Sequence, residues 1–125
     1  MKYLPLLSLL IILPACASPT ACGDRGSQRQ MTRCAEQNLA GLEAELQTKH
    51  AKLSKIIGSD HLDRAISAWT NYRDAHCAST SNLYSGGSLH GYVLAECKSK
   101  LTRIRIDSLD DDYRDTVDII IQGSP

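Results

Sequence analysis

Four cysteines, Cys22, Cys34, Cys77 and Cys97, follow an apolar leader that carries a fifth, Cys16. Their spacing limits the fold more than any other feature of the chain. An even set behind an export leader is compatible with two disulfides formed in an oxidising compartment, and four cysteines allow three connectivities. Cys77 lies ten residues before Gly87 and Cys97 ten residues after it. An antiparallel helical hairpin that turns near Gly86-Gly87 therefore sets those two side by side. Cys22 can fold back onto Cys34 near the start of the first helix. Pairings 22–34 and 77–97 are the expectation. Each closes a loop of about 13 to 21 residues, worth on the order of 3 kcal/mol in the chain-entropy account.

The leader itself is short. Lys2 supplies a basic start, and Leu4 to Leu13 is an apolar run interrupted by Pro5 and Ser8. A membrane-spanning helix needs about 20 residues, so residues 1–17 read instead as a signal peptide. Two processing routes are open. Leu13-Pro14-Ala15-Cys16 resembles a lipobox, in which Cys16 is lipidated and becomes the new N-terminus. Ala15-Cys16-Ala17 also fits ordinary secretory cleavage, leaving Ser18 first. Either route takes Cys16 out of the pairing pool. Ala17 and Ser18 lack the aspartate of an inner-membrane retention signal, so a lipidated form belongs on the outer membrane. The expectation is a periplasmic protein whose only membrane attachment is that lipid.

Helical periodicity dominates the rest, and 125 residues suit one domain. Ser27 with Gln30 reads as a capping box. Met31, Ala35, Leu39, Leu42, Leu46, Leu53, Ile56 and Ile57 then recur at helical steps, and Gly58 is placed to stop that helix. Asp60 is the expected cap of a second helix with the stripe Leu62, Ala65, Ile66, Trp69, Tyr72 and His76. Asn82 to Gly87 holds a Ser-Gly-Gly turn signal. Ser88 is the expected cap of a third helix facing inward with Leu89, Tyr92, Val93, Cys97, Leu101 and Ile104. From Asp107 the pattern fades, and Val117 to Ile121 fits either a helix end or an edge strand. The fold class is all-α: a small antiparallel three-helix bundle or helical hairpin braced by two disulfides. The helical domain spans 18–109, and an acidic tail spans 110–125.

Charge excludes several functions. Basic and acidic residues balance at 14 each, so no overall field recruits nucleic acid. The chain has no Gly-x-Ser-x-Gly elbow, His-Glu-x-x-His, P-loop or dinucleotide fingerprint, and no positioned carboxylate pair. His76, Cys77, His90 and Cys97 lack the spacings of a zinc site. The expectation is a protein without catalytic residues, cofactor or metal. Six aspartates, at 107, 110, 111, 112, 115 and 118, stand against Arg114 alone. Lys98, Lys100, Arg103 and Arg105 precede them and can offset them.

The stretch Ala68-Trp69-Thr70-Asn71-Tyr72-Arg73-Asp74-Ala75-His76-Cys77 resembles the signature AWxxYRDAxC of the LprI-like lysozyme-inhibitor family. Gly86-Gly87-Ser88 follows at the family's distance, then Cys97 and Leu101-Thr102-Arg103-Ile104-Arg105. Upstream, Cys22 and Gln30-Met31-Thr32-Arg33-Cys34-Ala35 are similar to the family's opening pattern. The chain departs from that pattern at Glu45-Leu46-Gln47 and at Ser67, which bears on packing. The resemblance covers roughly Cys22 to Leu109. It makes Trp69, Tyr72, Arg73, Asp74, Gly86, Gly87, Ser88, Thr102 and Arg105 the family-motif residues.

The resemblance implies an envelope protein that binds a protein partner, a lysozyme, and blocks it without chemistry. The rival expectations are an immunity or adaptor protein for another effector, and a structural lipoprotein. Read from their positions, Trp69 is a core anchor, and Arg73 lies over its ring or bonds a neighbouring helix. Asp74 is a solvated charge, and Gly86 and Gly87 permit a turn with positive φ. The candidate partner contacts are Gly86 and Gly87, on a loop able to enter a cleft, and Asp110, Asp111 and Asp112, complementary to a cationic lysozyme.

Overall fold

Helix α1, Gln28–Ile57, starts and stops where its caps dictate. The Gln30 amide donates to Ser27 Oγ at 3.3 Å, and the Ser27 amide donates to Gln30 Oε1 at 2.9 Å. Two of the orphan N–H groups of the first turn are thereby satisfied. Gly58 ends the helix with φ 87°, its amide donating to the Ser54 carbonyl. Helix α2, Asp60–Ser81, leads through a 3₁₀ turn, Asn82–Tyr84, to helix α3, His90–Gln122. The structure, a computed structural model, describes residues 22–23 and 26–123. Among these there are three helices and no strand. The leader and Cys16 lie outside the described residues.

The chain runs up, down and up, so α1 and α3 are parallel and α2 is antiparallel to both. Ser88 donates to the Gln28 side chain across 60 residues, and Lys49 holds Asp110 across 61. The same offset relates Ala35 to Ala95 in one buried cluster and Leu46 to Ile106 in the other. A constant offset over five turns is the register of a parallel helix pair with a heptad-like seam. Each of α1 and α2 lies closer to α3 than to the other. The main core joins Leu42 and Leu46 of α1 to Ile106 and Leu109 of α3, with Leu53, Ile66, Trp69 and Tyr113 packed around them.

Both expected disulfides are present, Cys22–Cys34 and Cys77–Cys97, each with a Cα–Cα distance of 5.6 Å. The first pins the segment before α1 against Ala35, Ala95 and Tyr92. The second clamps the α2–α3 turn, where Cys77 and Ser81 are fully buried.

Four local expectations are corrected. Ser59, not Asp60, precedes α2, and Asp60 lies in its first turn, where a carboxylate meets the positive end of the helix dipole. Leu89, not Ser88, precedes α3, and the Ser88 hydroxyl donates to the Gln28 side chain instead. Tyr72 and His76 stand outside the core, stacked on each other at 5.6 Å. The inward face of α3 is Ala95, Thr102, Ile106 and Leu109, whereas Ile104 is 53% exposed. Beyond Leu109 the helix continues unbroken to Gln122, so Val117 to Ile121 is helical and the aspartates stand on a helix.

Leu109 is only 1% exposed at the centre of the core. Leu109→Ala is expected to cost about 2–5 kcal/mol, and Ile104→Ala less than about 1 kcal/mol, both read by urea denaturation.

Candidate partner-binding surfaces

Trp69, Arg73 and Cys77 are spaced four residues apart, which stacks them along one face of α2. Arg73 is the centre of that face and is 6% exposed. Its guanidinium reaches all three helices. Nη1 lies 2.9 Å from Glu43 Oε1 on α1 and donates to Thr102 Oγ1 on α3 at 3.1 Å. Nε and Nη2 both approach Asp74 Oδ1 at 3.0 Å. The carbon of the guanidinium sits 5.2 Å from the centre of the Trp69 ring, within cation–π range. Thr102 has no exposed surface, and its hydroxyl accepts one guanidinium N–H while Glu43 and Asp74 supply the opposite charges that make burial of a cation tolerable there.

Asp74 is not the solvated charge that its place off the stripe suggested. It is half-buried and accepts from both Arg73 and Lys98, the latter at 3.2 Å. Burial alone pushes its carboxyl upward, but donation from Lys98 and Arg73 and their positive charges outweigh that and hold it below the usual aspartate range. Arg105 is half-buried along α3, with its Nε shielded from solvent.

Trp69, Arg73, Asp74, Thr102 and Arg105 thus face the interior in whole or part, whereas Tyr72 is exposed on α2 and Gly86, Gly87 and Ser88 at the α2–α3 turn; further exposed groups lie at the two ends of the bundle. At the α2–α3 end, Leu83 is 88% exposed and Tyr84 42% exposed. Gly86 takes φ 78° to turn the chain, whereas Gly87 does not need a positive φ, and its amide donates to the Tyr84 carbonyl. The positive-φ expectation therefore holds for Gly86 alone. Leu83 and Tyr84 were missed because they fall between helical stripes. Their only sequence signal is two large apolar residues inside a turn of Ser, Asn and Gly.

At the other end, both carboxylate oxygens of Asp110 accept from Lys49, at 2.6 and 2.7 Å, and Asp111 pairs with Arg114 at 3.0 Å. Asp107, Asp112, Asp115 and Asp118 are exposed and form no ion pair with another described residue. Beside them runs a groove of about 460 Å³ between the ends of α1 and α3, with Leu53, Ile56, Tyr113 and Val117 in its walls. About 20 residues of α3 separate the two ends, or roughly 30 Å at 1.5 Å per residue. The two glycines and the three candidate aspartates are not brought together.

Residues 20–109 match the family described as "Lysozyme inhibitor LprI". This chain belongs to the LprI family. An uncharacterized protein of Rhizobium meliloti (strain 1021) is 29% identical over 125 residues, covering 84% of this chain and 90% of its own length. No solved structure matches the chain. The LprI match ends at Leu109, so it includes the Arg73 network and the tip but excludes the aspartates from 110 onward. Among the described residues, no helix is long and apolar enough to cross a membrane.

Arg73 is buried but Glu43 and Asp74 are half-exposed, so Arg73→Ala strands no buried charge; loss of its hydrogen bonds and packing is expected to cost about 1–3 kcal/mol by urea denaturation. Asp74 has a lowered carboxyl pKa in the folded state, so its contribution is complete above the unfolded value of about 3.9 and disappears as pH falls through the folded value. Asp74→Asn is accordingly expected to flatten the acid side of the stability–pH curve. An unchanged acid limb would place the acid sensitivity elsewhere.

Proposed function

We propose that this protein is exported to the bacterial envelope, where it binds a lysozyme and inhibits it by stoichiometric blockade, with the α2–α3 tip entering the enzyme's cleft. The observation that carries the reading is the tip itself: Leu83 and Tyr84 project from a turn between two helices that the Cys77–Cys97 bond joins. Exposed apolar side chains on a constrained loop bind with little ordering cost, and the two glycines beside them leave the tip narrow. Family membership supplies the partner class. Lipidation at Cys16 would hold such an inhibitor at the outer membrane, and secretory cleavage would release it.

The acidic stretch has a different part in this reading. Asp107, Asp111, Asp115 and Asp118 fall at steps of four, four and three and share one helical face. A cationic enzyme would be drawn toward that face during approach, but the contact lies at the tip. The charges then set the rate of association and the tip sets the residence time.

The test is a cell-wall turbidity assay with the purified, oxidised protein against animal-type and goose-type lysozymes. The expected outcome is suppression of lysis at equimolar inhibitor. Leu83→Asp is expected to weaken inhibition by about 10- to 100-fold with unchanged thermal unfolding. Replacing Asp107, Asp111, Asp115 and Asp118 by Asn is expected to slow association at low salt and leave dissociation unchanged. No suppression of either enzyme at large molar excess would reject the proposal.

A further inference from the structure

Charges balance in number along this bundle but not in place. No Asp or Glu falls between Gly26 and Ala35 or between Ala75 and Ala95. These two stretches meet at the tip end, where Ser88 donates to Gln28. The aspartates from 107 to 118 stand in the far half of α3. Zero net charge therefore conceals one basic end and one acidic end.

Arg29 and Arg33, one turn apart on α1, are exposed and form no ion pair with another described residue. With Thr32, Glu36 and Ser88 they wall a hollow of about 390 Å³. Arg29 stands at its outer side, Arg33 about 6 Å farther from the tip, and Glu36, the one carboxylate in the wall, farther still. Guanidinium groups bind phosphate oxygens through paired N–H donors. At the same end Leu83 is 88% and Tyr84 42% exposed. A free phosphate would leave those two side chains without a role, whereas a bilayer surface supplies phosphates and an apolar layer together.

The length of the chain before Cys22 favours the same occupant. Cys22 is bonded to Cys34, six residues or about 9 Å behind the level of Gln28. Six residue steps separate Cys22 from Cys16, a reach of at most about 20 Å. A lipid on Cys16 can therefore clear the tip end by about 10 Å. The acidic end lies out of reach, because α3 runs on beyond the level of Cys34 for some 40 Å. A lipidated chain brings its basic, apolar end to the membrane and keeps its aspartates away from anionic headgroups.

We infer that the tip end is a membrane-docking face: Arg29 and Arg33 hold lipid phosphates, and Leu83 and Tyr84 enter the interfacial layer of an anionic bilayer. This attachment is additional to the lipid on Cys16. One tip cannot occupy a bilayer and an enzyme cleft together, so docking would withhold it from a lysozyme.

Flotation of the purified, oxidised protein with vesicles of phosphatidylcholine, with or without phosphatidylglycerol, tests the inference without any lysozyme present. Its outcome is therefore separate from that of the turbidity assay. Binding is expected on the anionic vesicles alone and is expected to weaken with salt. Arg29→Glu combined with Arg33→Glu, and separately Leu83→Asp, are each expected to weaken it at least about tenfold. All three positions are exposed, so circular dichroism and melting are expected to stay unchanged. Lys52→Glu, toward the acidic end, is expected to leave binding as it was. With the chain coupled through Cys16 to a maleimide lipid, brominated acyl chains are expected to quench Leu83→Trp emission beyond the quenching of Trp69 in the parent. Absence of flotation at millimolar lipid would overturn the inference. So would flotation indifferent to the tip variants, flotation lost equally in Lys52→Glu, or equal quenching of the tethered parent and Leu83→Trp.

Discussion

A buried guanidinium holds the three helices in one arrangement. Arg73 is the residue through which α2 meets both of its neighbours by polar contact: Glu43 on α1 and Thr102 on α3. A cation in that position cannot stay desolvated without acceptors, so each helix must supply one at the correct height. A slide of α1 or α3 by one turn, about 5.4 Å, would take Glu43 or Thr102 out of reach and leave the guanidinium leaning on Asp74 of its own helix. The apolar contacts tolerate such slips far better, because Leu, Ile and Ala offer similar surfaces from one turn to the next. Hydrophobic burial supplies the bulk of the stabilisation, and the Arg73 network selects the register in which it is realised.

The same network explains the spacing of the motif around Trp69. Four-residue steps put the indole, the guanidinium and the Cys77 sulfur in a column on α2, with the ring lying against the charge at 5.2 Å. Asp74, next in sequence, reaches back to Arg73 and outward to Lys98, so one carboxylate links a buried cation to a surface one. Tyr72 and His76 fall on a different side of α2 and stack with each other. A signature that looks like an exposed recognition site is largely a description of how the helices are held.

Much of the fold was legible because its determinants are local. The capping box at Ser27, the stop at Gly58, and the symmetric placement of Cys77 and Cys97 about the glycine turn each act within a few residues or one hairpin. The inward face of α3 was not. Ala95, Thr102 and the neighbouring Ser99 are small or polar, so the spacing of large apolar residues points to the face of Leu101 and Ile104 instead. Thr102 is buried because Arg73 needs an acceptor, a reason that exists only once α2 and α3 have been brought together. The role of Asp74 was hidden for the same reason, since Lys98 is a neighbour only in three dimensions. At the tip, glycine marked the turn, but the exposed residues that give it chemical character, Leu83 and Tyr84, follow no periodicity.

This division of labour has a consequence for how such a protein can change. The chain has no Phe and one Trp, and its largest fully buried side chains are two leucines and a threonine. A core that thin leaves little margin, so cross-links and the Arg73 network do what a larger apolar interior would otherwise do. The constraint is concentrated in the middle of the bundle, between Cys22–Cys34 on one side and Leu109 on the other. Both ends escape it. The tip beyond Ser81 is fastened by a disulfide rather than by its own side chains, and the last turns of α3 run on past the end of α1. Substitutions at either end alter surface chemistry without touching the contacts that set the register. A scaffold built this way can exchange partners at its ends while the signature in its middle stays intact.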